Sequence, residues 1–517
     1  MQTVLRQSAL IADWWPCSSF VDLVARIRSA SVCLLPQLKA VSEAVDSDGR
    51  IRERAGAESG DAGPSTRRPE RGLVSAGALV RRVVERARAQ RQSSSVADPK
   101  VAQPDSGPLS VLLLVENASV PTDTRVWSEC RSLREAGFDV VVISPKGASR
   151  DLEQFELRDG IAIHRFRMPY ARGGPRSFVS EYSVAFWRIS RIARQLARKR
   201  SFAVVHAANP PDFLLLAAWP LKRRGSRFIF DQHDLVPELY ISRFGRTPRL
   251  LYWLTCALER LSFSLADVVV SPNNSYRNIA LERGRKETDD VFVVRNAPDT
   301  SVFRPGKPDP ELKHGKPHLL AYVGAMNAQD GLDHAIRALA VLSRTRTDWH
   351  AIFVGDGDAA ADTRRLAQDL GLEDLVSFTG FLRAPEVVRV LSTADICLSP
   401  EPRSPLNEAS TFIKIAEYMA VERPVVAYDL TESRFSAGTA AVYASPDDVE
   451  GFASRIHELL DDPERRAAMG RLGRARVLSE LSWERSKEAL LAAYDRVLGP
   501  SPSRETTALP SSPRRDP

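Results

Sequence analysis

At 517 residues the chain is too long for one hydrophobic core, and its 43% hydrophobic and 26% charged content is ordinary for a globular protein, which excludes a mainly fibrous or disordered chain. The net charge of +7 is uneven, about half of it falling in the first hundred or so residues. Five cysteines, at 17, 33, 130, 256 and 397, lack CxxC or histidine-paired spacing, so neither a disulfide framework nor a zinc site is suggested and reduced thiols in a cytoplasm are expected.

Residues 1–107 hold two short helix-like patches, near 20–41 and 74–91, split by a stretch rich in Gly, Ser, Pro and Arg. Such composition cannot bury enough apolar area to offset chain entropy, so a largely disordered basic extension is expected. It lacks the pattern of a secretory signal. Three readings stay open for it: a basic arm touching anionic lipid or nucleic acid, a solvated tail, or an overextended start. No stretch is long and apolar enough for a transmembrane helix, FLLLAAWPL being cut by its proline and the basic cluster at Lys222 to Arg224, so any membrane contact is peripheral, at the inner face.

From 108 to 304 short β-branched runs alternate with helical segments: VLLLVEN, DVVVIS, IAIHRF, VVHAAN, FIFDQHD, ADVVVSPN and VFVVRNA. From 305 to 483 the design repeats with HLLAYVGAM, HAIFVGDG, VSFTGFL, ADICLSP, PVVAYD and AAVYASP. Continuous apolar strands in βα order mean parallel sheets covered on both faces, here two doubly wound α/β domains facing a cleft across a proline-rich connector, SVFRPGKPDPELKHGKPH. Ligands bind beyond the carboxyl ends of such strands, where Glu116, Asn117, Asn209, His233, Asp234, Asn273 and Asn296 fall. A helical stretch at 484–498 follows, then a Ser- and Pro-rich tail at 499–517 expected to be disordered.

The most informative segment is TFIKIAEYMAVERPVVAYD. Ile413, Ala416 and Ala420 recur at helical spacing and give the helix a buried face, leaving Lys414 and Glu417 together on another face near its start. A cation there opposes the macrodipole at a cost of about 0.3–1 kcal/mol unless an anion sits nearby. With the hydroxyls of Ser410 and Thr411, the helix start reads as a phosphate site, and Glu417, an acceptor-only carboxylate, as a partner for ribose hydroxyls. A solvated i,i+3 Lys–Glu pair is the plain alternative.

Residues 109–498 resemble the family 4 glycosyltransferases of the GT-B fold, of the bacterial envelope-polysaccharide type. The likeness rests on PTDTRVWSECRSLREAGFDVVVISP, DQHDLVPELY, YVGAMNAQDGLDHAI, VGDGD, VSFTGFL and the helix just described. It implies two Rossmann-like domains, an acceptor domain followed by a nucleotide-sugar donor domain, with the 484–498 helix crossing back to the first. It also implies sugar transfer with retention, no obligatory metal or cofactor, a nucleotide-sugar cosubstrate and a glycan or lipid-linked acceptor, with no nucleic-acid partner.

Residue by residue, the resemblance makes Lys414 the diphosphate cation, Glu417 the ribose contact and Phe381–Leu382 the base-lining turn, with Gly324 a close backbone approach to the phosphates. His233 would bond the donor sugar or diphosphate with Asp234 orienting it, while Arg125, Asn209 and Asn296 are candidates on the acceptor or phosphate side, with a surface or structural pair as the equal alternative for Arg125. Three departures stand out. Asp330 lies near a usual lysine position. Ala409 replaces the first motif glutamate, with Glu408 one place off. Glu422 replaces the usual helix-ending glycine, at a cost of about 1 kcal/mol if the backbone is left-handed there. The missing cation and displaced glutamate motivate a rival reading as a binding or scaffold protein. A nicotinamide enzyme is disfavoured because the first strand leads into ENASVPTDTR without a glycine fingerprint.

Overall fold

The computed structural model describes residues 108–147, 151–168, 175–244 and 249–499. The expected extension at 1–107 and the tail from 500 onward lie outside the described residues. The first domain is an eight-stranded sheet of β1 (Ser110–Leu114), β2 (Asp139–Pro145), β3 (Phe155–Arg158), β4 (Ile161–Phe166), β5 (Val204–Ala208), β6 (Arg227–Asp231), β7 (Val268–Ser271) and β8 (Val291–Val293). Its helices are α1 (Thr124–Glu135), α2 (Pro175–Ala197), α3 (Leu215–Lys222), α4 (Val236–Phe244), α5 (Arg249–Leu265) and α6 (Asn274–Glu282). The second domain has β9 (His318–Val323), β10 (Trp349–Val354), β11 (Val376–Gly380), β12 (Ile396–Ser399), β13 (Val425–Tyr428) and β14 (Ala441–Ala444). Around it lie α7 (Leu332–Ser343), α8 (Ala360–Asp369), α9 (Ala384–Thr393), α10 (Pro405–Ala409), α11 (Ile413–Ala420), α12 (Thr431–Ala437), α13 (Val449–Leu460) and α14 (Pro463–Ser479). The last helix, α15 (Trp483–Leu498), returns to the first domain, where the Trp483 indole N–H donates to Ser132 at 2.9 Å and the Ser486 hydroxyl to the Arg295 carbonyl at 2.8 Å.

Strand order is β3-β4-β2-β1-β5-β6-β7-β8 in one sheet and β11-β10-β9-β12-β13-β14 in the other. All pairings are parallel except β3 with β4. The sequence pattern passes over β3 because FELR is short and largely exposed, a guarded edge rather than a core strand. Each order reverses once, between β1 and β5 and between β9 and β12, and a doubly wound sheet opens its ligand crevice at that switch point.

Alternation along each strand sorts side chains between the two covered faces. Leu112 and Leu114 of β1 join the core under α2 and α3, whereas Val111 and Leu113 join the core under α1 and α15. The same parity puts Ala207 and Phe230 on the α2 face and sends His206 and Asp231 to the α15 face. Glu116 and Asn209, each two residues beyond the paired Leu114 and Ala207, end up level at the first switch point.

Candidate active site

In the second domain the loops after β9 and β12 converge on Lys414. It lies in the first turn of α11 but is buried, not on a solvated face, because Ile415 and Tyr418 are as fully enclosed as Ala416 and the short helix is covered nearly all round. Its ammonium donates to Glu401 Oε1 at 2.6 Å and to the Tyr322 hydroxyl at 2.9 Å, with Asp330 Oδ1 at 3.9 Å. The anion that compensates this cation is therefore Glu401, from the β12 end, and not Glu417. Burial alone would lower the lysine pKa, and the Glu401 charge more than reverses it, so the group stays charged. Two of its three N–H bonds are spent and one remains.

Gly324 passes directly over that amine: a Cβ there would lie 2.9 Å from Lys414 Cε and 3.0 Å from Nζ, at a φ of +154°. The Glu417 carboxylate makes no hydrogen bond among the described residues, and burial pushes its pKa up to about 7 against the pull of Lys414. Phe381 is 75% exposed beyond β11, and Leu382 packs against the domain core. Asp330 does not add a cation but accepts from the Asn327 backbone N–H at 3.0 Å, and burial raises its pKa.

Several expected roles change. Ser410 and Thr411 do not present hydroxyls at the start of α11. Ser410 donates to the Leu406 carbonyl at 2.8 Å, and Thr411 accepts from Asn273 of the first domain at 2.9 Å while lying 3.4 Å from Glu432. The residue that caps α11 is Phe412, which has no side-chain bond to offer, so its first N–H groups stay without a side-chain cap. Glu408, the displaced glutamate, accepts from the Thr431 N–H and hydroxyl at 3.0 and 2.9 Å and from Arg403 at 2.7 Å, which ties α10 to α12.

In the first domain Arg125 is buried and bonds three of its five N–H groups within the fold. It donates to the Val294 carbonyl at 2.7 Å, Asp231 Oδ1 at 2.9 Å and His233 Nε2 at 3.1 Å, with Glu129 at 3.3 Å. Its charge is thus already shared with two buried carboxylates, as in a structural pair. His233 is oriented by Asp231, whose Oδ2 lies 2.5 Å from Nε2, and not by Asp234. Burial would lower the histidine pKa, but the Asp231 charge outweighs it and raises the pKa despite Arg125. Its Nδ1 makes no hydrogen bond among the described residues, so that nitrogen is left for a ligand. Asp234 has its own carboxyl raised by burial.

Asn209 is a clamp: its Oδ1 accepts the N–H groups of His233 at 2.6 Å and Asp234 at 3.0 Å, and its Nδ2 donates to Asp212 at 2.7 Å and the Asp234 carbonyl at 2.8 Å. Asn296 is half-buried without a side-chain bond among the described residues. Glu116 is buried at the β1 end, and burial, helped by Glu181, pushes it up to about 8. Among the described residues one trio, Glu129, Asp231 and His233, brings ligand-type atoms within 4.8 Å of one another, but the Arg125 guanidinium lies among them and already supplies the positive charge.

The domains meet beside these clusters. Asn273 donates to the Ala409 carbonyl at 2.7 Å as well as to Thr411, the Ser275 hydroxyl donates to Glu432 at 2.6 Å, and Arg295 reaches Glu432 at 3.5 Å. Leu235 and Tyr276 pack on Leu406 and Ala409. Sequence reasoning missed Glu401, Tyr322 and Glu432. Of these only Glu401, an acid set directly after an apolar strand at the switch point, left a usable signal.

Two doubly wound lobes joined over facing strand ends, with a C-terminal helix that crosses back, define a GT-B architecture. Solved structures bear this out: sucrose-phosphate synthase from Thermosynechococcus elongatus matches with a TM-score of 0.63 at 18% identity, covering 75% of this chain and 99% of that one. HepE of Anabaena, in a complex with UDP-glucose, matches at 0.57 and 14% identity, covering 75% and 99%. Residues 122–297 fit the family model described as glycosyl transferase 4-like domain, and residues 317–462 fit that of glycosyl transferases group 1. The 2-deoxystreptamine glucosyltransferase of Streptomyces kanamyceticus is 31% identical over 261 residues, 48% of this chain and 66% of that enzyme, just under two thirds of its length. The chain belongs to the family 4 glycosyltransferases.

Proposed function

We propose that the protein transfers a sugar, with retention, from a UDP- or GDP-sugar to a hydroxyl of a glycan or lipid-linked acceptor in envelope polysaccharide or glycoconjugate synthesis. The observation that carries this reading is the pairing, on one helix, of a buried ammonium with a spare N–H and an unbonded carboxylate one turn on. The spare N–H and the uncapped N–H groups of α11 would take the departing diphosphate, and Glu417 the ribose. Lys414 is the charge that stabilises the leaving group, so the reaction would need no divalent ion. His233 would offer Nδ1 to the donor sugar or diphosphate. A front-face path, in which the leaving phosphate oxygen accepts the acceptor's proton, asks for charge positioning and no protein nucleophile. The UDP-glucose bound by HepE makes UDP the first nucleotide to try.

The test is a thermal-shift panel of UDP, GDP and their common sugar conjugates, followed by product release from whichever conjugate binds, with and without EDTA. Stabilisation by one nucleotide family and turnover that persists in EDTA are expected. A protein that no nucleotide stabilises would instead be the scaffold that the two carboxylates around Lys414 already favour.

A further inference from the structure

The crossing helix does more than brace the first lobe. Tyr494 of α15 is fully buried, its ring 5.4 Å from that of Phe138, and its hydroxyl lies 3.0 Å from His206 Nδ1. The phenol has no other partner among the described residues, so its proton goes to Nδ1 and the imidazole carries its own proton on Nε2. That N–H faces Asp231 Oδ2 at 3.5 Å, long for a hydrogen bond but close for an electrostatic contact in an enclosed site. The same Oδ2 is 2.5 Å from His233 Nε2.

We propose that Tyr494 and His206 are positioning residues for His233: through Asp231 they connect the helix arriving from the far end of the chain to the imidazole that turns Nδ1 outward. The parity of β5 and β6 makes the chain continuous, because His206 and Asp231 both point to the face that α15 covers. His233 Nε2 has a partner in either charge state. Protonated, it donates to Asp231; neutral, it accepts from Arg125. The charge on Asp231 therefore decides the balance, and His206 shares it with His233 at Oδ2 while Arg125 holds Oδ1. Other titratable or charged groups facing the chain are Asp123 at the α1 cap, Arg125, Glu129 and Cys130 on α1.

The proposal rests on the reading of His233 as a ligand contact, and the test separates the two. Tyr494→Phe keeps the ring and removes only the hydroxyl. Without the hydroxyl bond the His206 ring is no longer held with its Nε2–H toward Asp231, which leaves more of the carboxylate's charge for His233. NMR titration of histidine-labelled free protein, with His233→Gln to assign the resonance, should show the His233 midpoint moving up by about half a unit or more in Tyr494→Phe. The pH profile of nucleotide release from the sugar conjugate should move with it. In a His206→Asn background Tyr494→Phe should add no further shift.

An unmoved His233 midpoint overturns the proposal whether or not a nucleotide binds. A fall in turnover at every pH without a shift also overturns it, since that is the signature of packing alone. If the midpoint moves but no sugar conjugate turns over, the chain of contacts stands and the functional reading of His233 fails.

Discussion

Each lobe buries one cation near its switch point and surrounds it with two carboxylates, Arg125 with Asp231 and Glu129, Lys414 with Glu401 and Asp330. The difference is in where the partners come from. Three of the five Arg125 N–H groups bind a carbonyl, a carboxylate and an imidazole at the ends of β6 and β8, so it fixes architecture. Lys414, a point charge on a flexible stem, keeps one N–H and sits beneath a glycine loop that lets a ligand backbone or phosphate come near. A cation's sequence position near a helix start does not tell these cases apart; the partners it holds and the glycine beside it do.

The largest effects should come from removing each cation. Arg125→Ala strands two buried acids and should cost about 3–5 kcal/mol of stability, read as a lowered denaturation midpoint. Lys414→Ala strands Glu401 in the same way, so the informative variant is Lys414→Met with Glu401→Gln, which leaves only the partly exposed Asp330 without its cation. It should fold, since Asp330 is partly exposed and keeps its Asn327 N–H bond, and yet lose about 100- to 1,000-fold in turnover, the scale of deleting one transition-state donor. Comparable turnover in that double variant would make Lys414 a second Arg125 and end the contrast.

The two clusters act together only if the lobes close, and Glu432 is where the seam is polar and buried. Glu432→Ala should leave both lobes folded, open the molecule in small-angle scattering, and cut kcat/KM by about 10-fold, one to two lost hydrogen bonds to charged groups. An unchanged scattering profile would show that the Asn273 bonds and the apolar contact of Leu235 and Tyr276 with Leu406 and Ala409 suffice.

Glu417 tests the charge side of the donor cluster. Burial raises its carboxyl from 4.5 to about 7, so the folded protein holds a proton there that the unfolded chain gives up. Stability from this group is complete below pH 4.5 and is lost as pH rises toward and through 7. Glu417→Gln should therefore stabilise the unliganded protein at pH 8 by about 1–3 kcal/mol while weakening nucleotide binding several-fold. Equal midpoints at pH 5 and pH 8 for wild type relative to the variant would show that a partner already satisfies the carboxylate.

Much of the fold was readable because its strands are continuous β-branched runs, and every quoted run became a strand. The antiparallel β3 was not, since an exposed edge carries no core pattern. At the site, helical spacing found Lys414 and Glu417 but assigned the lysine to an open face. The stripe of Ile413, Ala416 and Ala420 assumes one buried side, whereas α11 is packed between the β9 loop, β12, α12 and α14. Glu401 escaped because its partner lies across a switch point, a contact that strand order creates and sequence spacing does not. His233 was found from its strand end, but its orienter was misassigned to the neighbour in sequence. Asp231, two residues earlier, shares the strand parity that reaches it, and Asp234 does not.

The smallest effect concerns the far end of α11. Glu422 holds φ at +60°, a left-handed position that glycine adopts freely and a branched-off Cβ opposes by about 1 kcal/mol. Glu422→Gly should relieve that strain and lose only the Arg474–Glu422 pair, 3.7 Å apart at the surface and worth about 0–1 kcal/mol. The backbone there is fixed from outside, for a Cβ added to Gly470 of α14 would lie 2.2 Å from the Glu422 carbonyl oxygen, so the turn has no freedom to choose another shape. A rise of about 1–2 °C in the melting midpoint, with turnover unchanged, is expected. A fall would mean that the ion pair outweighs the strain, and that the charge at the helix end, like the one near its beginning, is placed for a partner.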